Sequence, residues 1–299
     1  MILVTGASGN IGREVLKETE ATGTRIRAAY QDASNADAPP GVEVATVDFN
    51  QPETLKAALQ GVDRVFLVGP PTAQLALLEQ KAVDVVRHAG IKQLVKLSAM
   101  GGRAATFPRQ HAESEDYIRS TGIPYTFLRP NGFMQNLVNY NAGTINAQNA
   151  FYGSEGDGKV SHIDIRDIAA VAAKVLTEDG HINDAYTLTG PEALSSAQIA
   201  EKLSDLIGRK ISFVNLPPEQ LKQALLSAGI PDWSADALVD LQRLYREGGA
   251  ATVTQEVERL LQVPGPASLV LLGLGMVGVA GLALRTARGG TATAGATDE

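Results

Sequence analysis

Three glycines spaced three residues apart follow the first apolar run and constrain the fold more than any other feature. They stand in the segment GASGNIG, directly after Met1 to Val4 and before a helical pattern. In a strand–loop–helix unit the first glycine permits a tight turn, the second lets backbone amides approach a pyrophosphate, and the third lets the helix pack closely on the strand. The free amides at the helix N-terminus favour an anion. The segment therefore predicts a dinucleotide-binding loop. Its residues are Gly6, Ser8, Gly9, Asn10, Ile11 and Gly12.

Strand and helix patterns alternate through the first half of the chain, which favours a parallel sheet with crossover helices. The predicted strands are Met1–Thr5, Arg25–Tyr30, Val42–Val47, Arg64–Val68, Gln93–Leu97 and Tyr125–Leu128. The predicted helices are Ile11–Thr22, Pro52–Gln60, Ala73–His88 and Arg109–Ser120. The predicted fold class is therefore α/β, a Rossmann-type doubly wound parallel sheet.

From about Gly132 the pattern becomes irregular, and later it is mostly helical. The predicted elements are helix Ile165–Thr177, strand Ala185–Thr189, helix Ala197–Ile207, strand Lys210–Val214, and helices Pro218–Ser227, Ser234–Glu247 and Thr254–Gln262. We divide the chain into a cofactor-binding domain at 1–150, with core strands to about residue 190, a smaller substrate-covering portion at 151–262, and an apolar segment with a flexible tail at 263–299.

Composition and charge exclude several classes of function. The chain has no cysteine and four histidines, which lie far apart, so the sequence predicts no metal site and no cysteine nucleophile. Its formal net charge of −7 repels phosphate backbones, so nucleic acid is not an expected partner. A small molecule is the expected partner.

The end of the second predicted strand normally selects between NAD and NADP. Asp32 is placed to accept from ribose hydroxyls, or it is an ordinary acid of a turn. Arg13 and Arg27 are the basic residues placed to meet a 2′-phosphate. The residues alone leave both cofactors open.

Several longer motifs occur together in one order. They are MILVTGASGNIG at the start, the pair Asp48-Phe49, YTFLRPNGFMQN at Tyr125–Asn136, DIRDIAAVAAKVL, and YTLTGPEALS. From Met1 to about Gln262 the chain resembles the NmrA-like family of atypical short-chain dehydrogenases/reductases. That family includes NAD(P)H-dependent quinone and azo-dye reductases, and also members that bind the cofactor as redox sensors.

The resemblance implies further residues of the cofactor site. By resemblance, Asp48 and Phe49 approach the adenine, and Val68, Gly69 and Pro70 line the ribose and phosphate path. Phe133, Met134 and Asn136 lie near the nicotinamide by the same resemblance. Gln31 occupies the position of an arginine that is common in NADPH-binding members, and this departure weakens the expectation of NADP.

The catalytic pair of ordinary short-chain dehydrogenases, a tyrosine with a lysine four residues later, is absent from the sequence, although Ser98 stands where the usual serine would. His111 falls where related reductases and sensors place a lysine, and an imidazole that titrates near neutrality suits proton donation, with Glu115 orienting it. The alternatives are a contact with the nicotinamide ribose or an ordinary surface histidine. We therefore predict an NAD(P)H-dependent oxidoreductase with a quinone-like, azo or other conjugated acceptor; the alternative is an NAD(P)H-binding sensor without turnover.

The C-terminal segment Ala267–Leu284 is an uncharged apolar stretch that ends before Arg285. With Pro264-Gly265-Pro266 ahead of it, it resembles a PEP-CTERM sorting segment, and a helix of this length just crosses a bilayer. The chain has no basic segment before its first apolar run, so the expected location is the cytoplasm, with a membrane tether through this segment. The alternatives are a buried helix, a helix that joins two copies in a homodimer, and a fused remnant.

Overall fold

The computed structural model describes residues 1–262 of the chain. Its strands are β1 Ile2–Val4, β2 Ile26–Tyr30, β3 Glu43–Thr46, β4 Arg64–Leu67, β5 Gln93–Leu97, β6 Tyr125–Pro130, β7 Ala150–Gly153, β8 Lys159–Val160, β9 Asp184–Leu188, β10 Leu194–Ser195 and β11 Ser212–Asn215. Its helices are α1 Asn10–Glu20, α2 Pro52–Ala58, α3 Leu75–Val86, α4 Thr106–Thr121, α5 Gln135–Gln148, α6 Ile165–Thr177, α7 Ser196–Ile207, α8 Pro218–Ser227, α9 Asp232–Arg246 and α10 Glu256–Leu261. A 3₁₀ turn, Ala33–Asn35, follows β2.

Within residues 1–262, seven strands form one sheet in the order β3-β2-β1-β4-β5-β6-β9. Every neighbouring pair in this sheet is parallel. The order reverses at β1, whose neighbours are β2 and β4, and in open α/β sheets such a reversal opens a crevice at the carboxyl ends of the strands. The predicted doubly wound α/β fold is confirmed.

Helices cover both faces of the sheet because alternate residues of each strand face opposite sides. On one face, apolar residues of α1, α6 and α10, such as Val15, Val171 and Val257, pack in one core. On the other face, residues of α2, α3 and α4, such as Leu55 and Val83, pack in a second core. Helices therefore support the sheet, including the edge at the carboxyl ends of its strands, from both sides.

The stretch after Gly132, where the sequence pattern is irregular, contains a separate small unit. Strands β7 and β11 pair in parallel, β8 and β10 pair antiparallel, and α7 packs behind them through Leu203. Helix α5 was not predicted, and the reason is physical: of its residues only Ile145 is buried, so it lacks the apolar periodicity that indicates a helix.

Within the described part of the chain, no helix is both long enough and apolar enough to span a bilayer. The predicted sorting segment and membrane tether, Ala267–Leu284, lie outside the described residues.

The close approach of Gly12 to the backbone of Gly6 leads to a prediction about the stability of the protein. A Cβ built on Gly12 would lie 2.1 Å from the carbonyl oxygen of Gly6, so Gly12→Ala must displace backbone. We expect a loss of about 1–3 kcal/mol in the free energy of unfolding, as for an overpacked core. Urea denaturation measures it.

Gly143→Ala is the matched control for this change. Gly143 lies in α5, where a Cβ would meet nothing within 4 Å. Alanine there should raise stability by about 0.5–1 kcal/mol, because it restricts the unfolded chain. Equal stabilities for Gly12→Ala and the wild-type protein would contradict the close approach.

Candidate active site

The predicted glycine loop joins the carboxyl end of β1 to the start of α1. Gly6 has φ of +62°, a conformation that favours glycine, and the Gly9 amide donates to the Gly6 carbonyl at 3.0 Å. Gly9 is also the N-cap of α1, so no side chain occupies the cap and the first amides are left for a ligand. Ser8, Gly9 and Asn10 are exposed, whereas the Ile11 side chain is buried in the core and leaves only its backbone for the loop.

The other predicted cofactor residues follow successive strands of the same sheet. Because parallel strands present their carboxyl ends at one edge, these residues share that edge with the glycine loop. Gln31 and Asp32 follow β2, Asp48 and Phe49 follow β3, Val68, Gly69 and Pro70 follow β4, Ser98 follows β5, and Phe133, Met134 and Asn136 follow β6. The Thr5 hydroxyl accepts from the Val68 amide at 2.8 Å and so ties the ends of β1 and β4 together.

The groups after β2 are more constrained than their sequence indicates. The Asp32 carboxylate accepts from the amide and hydroxyl of Ser34 at 2.9 and 2.7 Å and caps the 3₁₀ turn. Arg27 is held by Glu43 and by backbone carbonyls. Arg13, at the start of α1, pairs with Asp37 at 3.3 Å, and both side chains are exposed. Of the two arginines, Arg13 is therefore the one placed at this edge with an exposed head group.

His111 lies on α4 and its nearest polar partner is a buried lysine. The Lys96 Nζ atom lies 3.0 Å from the Nδ1 atom of His111 and 2.7 Å from the Glu79 Oε2 atom. Burial and the Lys96 charge hold the pKa of His111 well below its usual value. The expectation of an imidazole that titrates near neutrality is therefore wrong for this protein as it stands.

Glu115 belongs to a different cluster. Its carboxylate accepts from the Ser98 hydroxyl at 2.6 Å and from Arg129 Nε at 2.8 Å, and it also pairs with Arg119. Burial alone would raise the pKa of Glu115, but the hydrogen bonds from Arg129 and Ser98 outweigh it and the pKa is lowered. The expectation that Glu115 orients His111 is wrong, because the carboxylate is held by these three groups.

Sequence reasoning missed Lys96 and Glu79, although a signal for both exists. Lys96 stands inside a strand whose other residues are buried. Glu79 stands on the buried face of α3, between Leu75 and Ala82. A cation in a central strand and an acid on the apolar face of the preceding helix are expected to form an ion pair, because unpaired charges are almost never buried.

A cavity of about 550 Å³ opens beside the segment that follows β6. Gly132, Phe133, Met134 and Asn136 are among its lining residues. Leucines of α8 and α9, among them Leu225, form an apolar wall. A cavity of this size, mostly apolar with a few polar groups, is typical of small-molecule sites.

Two polar side chains line the cavity beside Gly132. A Cβ built on Gly132 would lie 3.2 Å from both the His162 Cδ2 atom and the Tyr245 hydroxyl oxygen. Burial lowers the pKa of His162 to about 4, and burial together with the Glu155 carboxylate raises the pKa of Tyr245. At neutral pH the cavity therefore presents a neutral imidazole and a protonated phenol.

The chain is similar in sequence and fold to known proteins. The chain is 38% identical over 269 residues to the NAD(P)H azoreductase of Xenophilus azovorans, covering 88% of this chain and 94% of the relative. The structure of an NADPH-dependent quinone oxidoreductase of Escherichia coli in complex with NADPH superposes with a TM-score of 0.82 at 28% identity, covering 91% and 100% of the two chains. The Citrobacter sp. triphenylmethane reductase complexed with NADP(H) gives a TM-score of 0.80 at 28% identity, covering 88% and 95%.

Fold and edge together define a Rossmann-type dinucleotide-binding protein. The sequence model of the NmrA-like family matches residues 1–264. The chain belongs to the NmrA-like family.

The pKa of His162 generates a pH prediction. Because the folded pKa of about 4 lies below the value of 6.5 for a free imidazole, the unfolded chain takes up the proton first. Stability should therefore be lost as pH falls from 6.5 towards 4. His162→Phe should flatten this part of the curve of unfolding free energy against pH. The difference in unfolding free energy between the two proteins at pH 7.5 measures the change in packing alone, because both side chains are then neutral. If the unfolding free energy of His162→Phe depended on pH as that of the wild-type protein does, the buried neutral imidazole would be contradicted.

Proposed function

We propose that the protein is an NAD(P)H-dependent oxidoreductase that passes hydride to a quinone-like, azo or other conjugated small-molecule acceptor. The observation that carries the proposal is the position of the cavity, which begins at Gly132 to Met134 on the same sheet edge as the glycine loop. A cofactor bound along this edge would bring its nicotinamide beside the part of the cavity lined by Gly132 to Met134.

The glycine loop supports the pyrophosphate end of the cofactor. Gly12 allows α1 to lie directly on the backbone of Gly6, and the first turn of α1 contains no acidic residue to repel an anion. The residues proposed to hold the cofactor are Gly6, Ser8, Gly9, Asn10, Ile11, Gly12, Gln31, Asp32, Asp48, Phe49, Val68, Gly69, Pro70, Ser98, Phe133, Met134 and Asn136. Of these, Ile11 would contribute its backbone, and Asp32 and Ser98 have side-chain partners within the protein.

NADPH is the cofactor that this edge suits better. Gln31 and Asp32 offer no cation, but Arg13 is exposed and pairs with the exposed Asp37 across 3.3 Å. An exposed ion pair is weak, so a 2′-phosphate can compete for the guanidinium. NADP complexes of the two structural neighbours agree with this choice.

The cavity supports a conjugated acceptor with an extended apolar body. About 550 Å³ lies within the range of pockets for drug-sized ligands and exceeds the volume of a single ring. The azo, quinone and triphenylmethane reductases named above act on conjugated molecules, as their names state.

The chemistry requires little proton assistance from the protein. A bound nicotinamide would supply a hydride, a conjugated acceptor would spread the resulting negative charge, and one proton taken up from solvent as the product is released would complete the reduction. Tyr245 and His162 lie where they would donate hydrogen bonds to the acceptor, and the leucine wall would exclude water. His111, on α4, is the proposed catalytic contact.

The decisive experiment measures oxidation of NADPH and NADH by the full-length protein against quinones, azo dyes and triphenylmethane dyes. We expect saturable turnover, and Gly9→Val should abolish both turnover and cofactor binding because its side chain would fill the pyrophosphate position. Tight cofactor binding without turnover on any acceptor would instead favour the sensor. Absence of cofactor binding would reject both functions.

The cavity wall generates a prediction of specificity. Leu225→Trp fills part of the cavity, and we expect it to raise the KM of three-ring dyes by about tenfold while the affinity for NADPH stays unchanged. Steady-state kinetics with a one-ring quinone and a three-ring dye measures the difference.

Leu206→Trp is the control, because Leu206 is 42% exposed and does not line the cavity. An equal effect of both variants, or none of Leu225→Trp on large dyes, would mean that the acceptor binds elsewhere.

The proposed use of NAD(P)H supports a cytoplasmic location for the protein. Contact with a membrane through Ala267 to Leu284, and a homodimer, stay predictions from the sequence. Membrane fractionation and size-exclusion chromatography of the full-length protein test them.

A further inference from the structure

A buried ion pair lies beneath the cofactor edge without a role in the proposed chemistry. Lys96 and Glu79 have no solvent-exposed side-chain surface, and their charged atoms are 2.7 Å apart. Removing two charges from water costs several kcal/mol per ion, and an apolar pair of similar volume is often as stable. Stability alone therefore gives a poor account of this pair.

The contacts of Lys96 restrict where the proton of His111 can sit. A lysine ammonium has three protons and no acceptor. It lies within 3.0 Å of three acceptors: Glu79 Oε2, the Leu97 carbonyl oxygen and His111 Nδ1. Because Nδ1 faces a donor, it must accept, and the single proton of the neutral ring must be on Nε2.

The surrounding charges keep this imidazole neutral. Glu79, from α3, is matched by Lys96 of β5. Glu115, from α4 itself, is matched by Arg129 of β6 and by Arg119. Across the described chain, no carboxylate forms an ion pair with His111 that would stabilise an imidazolium, and a cation already occupies its Nδ1 side.

The same ion pair also contacts the predicted cofactor path. The Gly69 amide donates to Glu79 Oε1 at 3.2 Å, and a Cβ on Gly69 would come within 2.8 Å of this carboxylate. Beside His111, Gln110 donates to the carbonyls of Thr72 and Ala73 in the loop after β4. The start of α4 is thereby held against that loop, and His111 is half-buried at the edge, where its Nε2 has no hydrogen-bond partner among residues 1–262.

We propose that Glu79 and Lys96 are positioning residues that hold His111 as a neutral imidazole with its proton on Nε2, ready to donate a hydrogen bond to an oxygen or nitrogen of the ligand at the carboxyl edge. The inference rests on the proposed function for the ligand. In this role His111 donates a hydrogen bond as a neutral side chain, and it does not have to gain or lose a proton during turnover.

The first experiment needs no acceptor. Long-range ¹H–¹⁵N spectra of the full-length labelled protein from pH 5 to 8 report the protonation state and tautomer of His111. We expect the neutral Nε2–H tautomer throughout. An Nδ1–H tautomer, or an imidazolium already present at pH 6, would overturn the proposal.

Variants then test the ion pair itself. Lys96→Met alone leaves a buried unpaired carboxylate and risks unfolding, so Lys96→Met with Glu79→Leu replaces both charges by apolar groups. In this double variant His111 should protonate at a higher pH and populate both tautomers. Lys92→Met is the control, because Lys92 is exposed and pairs with Asp63. Unchanged His111 spectra in the folded double variant would overturn the positioning role.

The second experiment tests the donor. His111→Gln keeps an N–H donor and a side-chain oxygen for Lys96, whereas His111→Phe keeps neither. We expect His111→Phe to lower kcat/KM about tenfold, as for a lost hydrogen bond, and His111→Gln to retain most of it. Equal kcat/KM values for the two variants would show that His111 does not act as a hydrogen-bond donor. If the wild-type protein shows no turnover, the proposed function fails, and the spectra still decide the state of His111.

Discussion

The α-carbon of Gly12 lies against the carbonyl group of Gly6, and the geometry of the cofactor edge depends on this contact. Any Cβ at Gly12 would push α1 away from β1 and would move the helix N-terminus out of the crevice. The same device recurs around the cavity, where a Cβ on Gly190 would lie 2.0 Å from the His162 carbonyl oxygen and one on Gly158 would lie 2.3 Å from that of Tyr245. Close backbone packing at glycine therefore positions both halves of the site.

Charge is buried beneath this edge in two separate clusters. In one, Ser98, Arg119 and Arg129 satisfy Glu115, so the carboxylate is a structural link between β5, α4 and β6. In the other, Glu79 and Lys96 link α3 and β5 to an imidazole that is half-buried. Buried clusters of paired polar groups make the surroundings of a site rigid, and a partly exposed member is the one that can contact a ligand.

How far the sequence predicts the structure varies along the chain. Strands β1 to β6 follow apolar runs and end within one or two residues of their predicted bounds, and the loop of Gly6 to Gly12 stands where its spacing indicates. Helix α5 could not be predicted from the sequence, because Ile145 is its only buried residue and the helix therefore has no apolar stripe. The residues alone leave Asp32 open between a ribose contact and a turn acid; the structure shows its carboxylate accepting from the Ser34 amide, and the ribose contact stays a prediction.

The sequence by itself determined the doubly wound fold, the position of the glycine loop and the family, because glycine conformation and apolar periodicity act over a few neighbouring residues. Only the tertiary structure decided which partner each buried polar group has. Glu115 contacts Ser98 rather than His111, and His111 contacts Lys96, because helix packing sets these distances between residues far apart in the chain. Burial then sets the ionisation of His111 and of the cavity residues, since the free energy of a charge depends on all groups around it.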